Sequence, residues 1–144
     1  MSGIIDSAGS KSGVIGTTEL DYEEGTWTAG GTGASLSLTN TIGYYTKIGN
    51  RVFVQWYSGA ITISSTSGAS ARITGLPYTS SADSYAMGNF YYSHGNAVDG
   101  DTPGGHIENT NTTMIFIDLN TTYSSGWIDG SSKYVMVSGN YSID

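Results

Sequence analysis

A strictly alternating run, Arg51-Val-Phe-Val-Gln-Trp-Tyr57, constrains this chain more than any other feature. Side chains change face at every residue of a strand. Val52, Val54 and Trp56 therefore fall on one side, and Arg51, Phe53, Gln55 and Tyr57 on the other. The first set is expected to face a core. Gly49-Asn50, just before the run, suits a tight hairpin turn back to a second strand over Ile42–Ile48.

Weaker strand patterns follow on both sides. They cover Thr26–Thr28, Ala34–Thr39, Ala60–Ser64, Ala71–Thr74, Tyr85–Ser93, Thr112–Leu119, Gly126–Asp129 and Lys133–Ile143. Gly95–Gly105 carries no strand pattern and is expected to be a polar loop. No stretch has the period of a helix longer than a turn. Roughly eight to ten short strands at this density imply an all-β fold, an antiparallel β-sandwich or jelly-roll-like domain. Thr112–Leu119 is apolar on both faces over its middle. Met114, Ile115, Phe116 and Ile117 are thus candidates for a strand buried between the core and a partner subunit.

Residues 1–25 read differently. Ser2–Gly16 is rich in Gly and Ser, with isolated apolar pairs at Ile4-Ile5 and Val14-Ile15, and an acidic stretch follows with Glu19, Asp21, Glu23 and Glu24. Such a segment buries too little apolar surface to offset its own ordering. It is expected to be an extended attachment arm that orders against a neighbour, leaving 26–144 as the sandwich domain.

Composition removes several function classes. Charged residues are 12% of the chain and Tyr alone occurs 11 times, which is not the balance of a disordered protein. Cys is absent, so there are no disulfides or thiolate metal sites. The net charge is −7, and Lys11, Lys47, Arg51, Arg72 and Lys133 do not cluster, so no basic stripe for nucleic acid exists. The opening Met1-Ser-Gly-Ile-Ile-Asp lacks the basic and apolar regions of a secretory leader. No apolar run is long enough for a membrane-spanning helix.

Three segments carry a resemblance. Leu20-Asp-Tyr-Glu-Glu-Gly-Thr-Trp-Thr28 resembles a signature common in phage tail-fibre and other virion proteins, where a strand begins after an acidic hinge. Tyr44-Tyr-Thr-Lys-Ile-Gly-Asn-Arg-Val-Phe-Val54 is similar to a hairpin of the same proteins, and Arg72-Ile-Thr-Gly-Leu-Pro-Tyr78 to one of their turns. The three stand in the usual order and cover about residues 20–80. The resemblance implies a β-sandwich module, often trimeric, on the outside of a phage particle. In physical terms all three are fold motifs. Gly-Asn supplies a turn, and the proline after Gly75-Leu76 ends a strand because it cannot donate to the ladder.

Catalytic chemistry finds little to build on. His94 and His106 lie near Asp99, Asp101 and Glu108, around the Gly-rich stretch Asp99–Gly105. Asp and Gly there serve turn geometry, and Asp99-x-Asp101 lacks the rest of a calcium loop. No Gly-x-Ser-x-Gly elbow occurs. No catalytic residue, metal or cofactor is expected. Tyr44, Tyr45, Tyr78, Tyr85, Tyr91, Tyr92, Tyr123 and Trp127 could stack on sugars or pack cores and interfaces. Tyr123 and Trp127, at loop ends, are the candidates for glycan stacking.

Two roles are open. One is a capsid decoration (cement) protein, a homotrimer holding neighbouring capsomers through its arms, with avidity from three tethered arms. The other is a host-receptor module binding a surface glycan at a fibre or spike tip. The short length, which leaves room for neither shaft nor anchor, favours decoration. Either role places the chain on the virion surface, with capsid or tail proteins as partners.

Overall fold

The computed structural model describes residues 21–64, 71–83, 86–93, 96–98, 104–117 and 126–144. The described residues form twelve strands: β1 (Tyr22–Thr28), β2 (Gly30–Thr32), β3 (Ser35–Ser37), β4 (Ile42–Ile48), β5 (Arg51–Tyr57), β6 (Ile61–Ser64), β7 (Arg72–Thr74), β8 (Ala86–Ser93), β9 (Gly104–Glu108), β10 (Thr113–Phe116), β11 (Gly130–Lys133) and β12 (Met136–Ser142). All pairings are antiparallel. Nine strands form one sheet in the order β1-β4-β5-β12-β8-β9-β10-β7-β2, and β11-β6-β3 form a second. The two ends of the large sheet, β1 and β2, are separated in the chain by Ala29 alone. The sheet therefore curls nearly closed, in the manner of a sandwich or flattened barrel.

Alternation sets the inside. Val52, Val54 and Trp56 of β5 are buried while Arg51, Phe53, Gln55 and Tyr57 are exposed. Ile61 and Ile63 of β6 face the same core as Val137 and Tyr141 of β12. Fully burying one such apolar side chain contributes about 1.5–3 kcal/mol. Aromatic edges organise the centre. Phe116 meets Phe90 at 5.0 Å, Tyr92 at 5.2 Å and Trp127 at 5.8 Å between ring centroids. Each tryptophan N–H donates to a carbonyl: Trp27 to Tyr44 (3.3 Å), Trp56 to Asn40 (3.1 Å) and Trp127 to Thr32 (2.8 Å). An unsatisfied donor there would cost about 1–3 kcal/mol.

The three motif segments form a single unit. The first is β1, the second is the β4–β5 hairpin, and β1 pairs with β4 from Tyr22↔Ile48 to Thr28↔Ile42. Two glycines make that pairing possible. Trp27 lies across Gly43, where an added Cβ would sit 2.3 Å from the indole, and Tyr45 lies across Gly25. Gly49 has φ +57°, which opens the two-residue turn between β4 and β5. The third motif brings Tyr78 edge-on to Tyr45 at 5.6 Å. The Tyr45 hydroxyl donates to Glu23 Oε1 at 2.5 Å, and Tyr78 bonds the same carboxylate. Tyr141 clamps Tyr78 from inside, its hydroxyl donating to the Tyr78 carbonyl (3.0 Å) and accepting from its N–H (3.2 Å).

Several boundaries differ from expectation. The arm boundary at residue 25 falls inside β1, because Tyr22–Gly25 find ladder partners in β4. The polar loop expected over Gly95–Gly105 ends in strand: Gly104-Gly105 open the inner strand β9, between β8 and β10. Gly126–Asp129 forms no strand; Trp127 makes an isolated bridge to Val98. The closing strand expected over Lys133–Ile143 is β12, Met136–Ser142; Lys133 ends β11 in the other sheet, and Tyr134-Val135 separate the two.

Candidate functional site

The outward face of β1, β4, β5, β12 and β8 is where the molecule offers binding chemistry. Register places the side chains in rows across the strands. One row runs Thr26–Tyr44–Gln55–Ser138–Tyr91, and the next runs Glu24–Thr46–Phe53–Asn140–Asn89. Together these line a groove of about 870 Å³. A second hollow of about 340 Å³ adjoins it, sharing Tyr44, Gln55, Tyr91 and Ser138 and adding Asn40, Ile42, Tyr57 and Met136.

The rings are open to solvent. Tyr44 is 57% exposed, Tyr91 55% and Phe53 44%. Between the strands carrying Tyr44 and Tyr91 lie three inter-strand steps, about 14 Å. Gln55 and Ser138 stand between the two rings, and Asn140 and Asn89 lie beside Phe53. Among the described residues, the side-chain amides of Gln55, Asn89 and Asn140 have no hydrogen-bond partner. At the β1 rim, Tyr22 donates to Glu24 Oε1 at 2.5 Å, and this bond to a carboxylate raises the Tyr22 phenol above its ordinary pKa. Aromatic faces interleaved with open amides can stack on apolar ring faces and hydrogen-bond hydroxyls at once.

The residues singled out from sequence are distributed differently. Asp21 is paired with Lys47, and its carbonyl accepts from Gly49 N–H at 2.7 Å. Glu23 holds Tyr45 and Tyr78, and those two hydrogen bonds keep its carboxyl below the ordinary carboxylate range. Asp21, Glu23 and Glu24 are thus engaged at the sheet edge and do not form a free acidic tether. Met114, Ile115 and Phe116 are buried within the single chain, with Ile117 half-buried beside them. Their burial requires no partner subunit. Trp127 corrects the glycan-stacking assignment: it is 4% exposed, sits against Phe116 and spends its N–H on Thr32, so no ring face is left for a sugar. Ile4, Ile5, Val14, Ile15, Glu19 and Tyr123 lie outside the described residues. So do His94, Asp99 and Asp101.

His106 Nε2 is 3.7 Å from Glu108 and is buried without a hydrogen-bond partner. Among the described residues no three His, Asp or Glu side chains gather as metal ligands. Comparison with protein-family models, curated proteins and solved structures finds no match to this chain.

Sequence reasoning missed Phe53, Gln55, Asn89 and Asn140 as a set. The signal for it lay in β5. An aromatic residue on the outward phase of a strand whose inward phase is already apolar is a candidate for contact outside the chain.

Proposed function

We propose that the chain is a non-enzymatic component of a bacteriophage particle, acting at the virion surface as a receptor-binding module that holds an extended host glycan across the outer face of its sheet. The groove carries this reading. It places Tyr44, Phe53 and Tyr91 as exposed platforms among amides that have no partner among the described residues. Sugar rings present both an apolar face and a fringe of hydroxyls, and this surface answers both. The virion setting rests on the resemblance of the Leu20–Thr28, Tyr44–Val54 and Arg72–Tyr78 segments. Assembly as a homotrimer follows from the same resemblance.

The decoration role rests on the segment before Asp21. Asp21 and, in β1, Glu23 and Glu24 are engaged with Lys47, Tyr45, Tyr78 and Tyr22, which leaves Ile4-Ile5, Val14-Ile15 and Glu19 to carry any attachment.

One experiment separates the two. The full chain, a form lacking residues 1–20, and a Tyr44→Ala/Tyr91→Ala variant are each mixed with host-cell envelopes and with empty phage shells. Envelope binding lost in the double variant and kept in the deletion supports the receptor role. Saturable shell binding lost in the deletion and kept in the double variant assigns decoration instead. The deletion stops at residue 20 because Tyr22–Gly25 belong to the sheet.

A further inference from the structure

The geometry points to an uncharged glycan as the ligand of the groove, with acidic polysaccharides excluded. This rests on the reading of the groove as a saccharide site.

The lining carries the argument. Among the described residues it contains no Lys, Arg or His, and Glu24 at the β1 rim is its sole carboxylate. The nearest basic side chains among the described residues stay outside that lining. Lys47 is on the opposite face of β4, tied to Asp21. Arg51 is on the outward face of β5 but two residues beyond Phe53 and outside the lining. His106 on β9 stands opposite the lining residue Asn89 of β8, but is itself outside the lining and close to Glu108.

A carboxylate or sulfate on a sugar needs charge-assisted donors, which Arg and Lys supply. In a groove without them its lost hydration is offset only by the weaker bonds of neutral amide and hydroxyl donors. The net charge of −7 adds long-range repulsion of a polyanion. The amides of Gln55, Asn89 and Asn140 each offer a donor and an acceptor, as does the Ser138 hydroxyl. Sugar hydroxyls and acetamido groups are likewise donor and acceptor together. From β1 to β8 the groove crosses four inter-strand steps, about 19 Å. That span takes several linked rings rather than a single one.

The test is titration calorimetry of the full chain. Neutral oligosaccharides of glucose, mannose, galactose and N-acetylhexosamines are compared with uronate- and sulfate-bearing ones of the same length. Binding is expected in the neutral series only, and unchanged as salt is raised, since no counter-charge is involved. Tyr44→Ala and Tyr91→Ala should each weaken it by about two- to tenfold, the worth of one ring contact. Unchanged circular dichroism confirms that both variants are folded. An acidic oligosaccharide that binds and is weakened by these substitutions overturns the charge assignment and leaves the groove reading standing. Sugar binding indifferent to both substitutions, or none in either series, overturns the groove reading and this inference with it. Self-association of the chain that Tyr44→Ala and Phe53→Ala abolish gives the face to a second copy and also overturns both.

Discussion

The two faces of the large sheet are both rich in aromatic residues, yet they are finished in opposite ways. Inside, every tryptophan N–H has a carbonyl partner and the Tyr141 hydroxyl is bonded on both sides. Outside, Tyr44, Phe53 and Tyr91 lie open, and the amides among them are unpartnered within the described residues. Aromatic content alone does not separate a core from a binding face. The accounting of donors and acceptors does, because a buried donor must be satisfied by its own chain, while a donor at a binding face is left for water or a ligand.

The contrast can be broken most forcefully from the inside. Phe116→Ala removes the ring that Phe90, Tyr92 and Trp127 share and should cost about 3–5 kcal/mol. Urea unfolding measures it. A cost under about 1 kcal/mol would mean that the inner aromatics are not the centre of the core. Gly43→Ala drives a methyl group into the Trp27 indole. It should cost about 1–3 kcal/mol by overpacking, read from the same unfolding curves.

The outer face should respond differently. Tyr44→Ala and Tyr91→Ala should each leave stability within about 0.5 kcal/mol, as surface changes do, while weakening glycan retention on an affinity column. A stability loss comparable to Phe116→Ala would place these rings in the fold rather than at a site. The smallest expected effect is a titration. The Glu23 carboxyl is held low by Tyr45 and Tyr78, so the unfolded chain binds its proton more readily. The stabilisation from this carboxylate is present above its unfolded pKa and is lost as pH falls through the lower folded value. Thermal midpoints of the native chain and of Glu23→Gln should therefore converge in acid. A gap that persists at the acidic end sinks the assignment.

Where the sequence was legible, local pattern and tertiary demand agreed. β4 and β5 match residue for residue, since alternation and the Gly49-Asn50 turn both specify them. β9 was not legible. Gly104-Gly-His-Ile-Glu108 has one strong apolar residue, Ile107, and its strand form comes from the strands on either side. Its Gly105 admits the Phe90 ring and the Ile115 backbone, where a Cβ would sit 2.1 Å from the Ile115 carbonyl oxygen. β1 was masked for another reason. Glu23 and Glu24 made Tyr22–Gly25 look like solvated arm, and their partners Tyr45, Tyr78 and Tyr22 become apparent only in three dimensions. The groove was half legible. Exposed aromatics on β4, β5 and β8 could be suspected singly, but that they meet depends on β12 entering between β5 and β8.

That insertion also governs how the protein can be made. β12 follows every other strand in the chain and fills a central place in the sheet. Until Met136–Ser142 has left the ribosome, β5 and β8 are two unpaired edges, each a template for another chain. Synthesis cannot build this sheet strand by strand from one end, so the fold must assemble after the whole span is available, through contacts distant in sequence and at the pace such topologies impose. A nascent chain cut short before Met136 would carry both open edges into a crowded cell, with aggregation as the expected result.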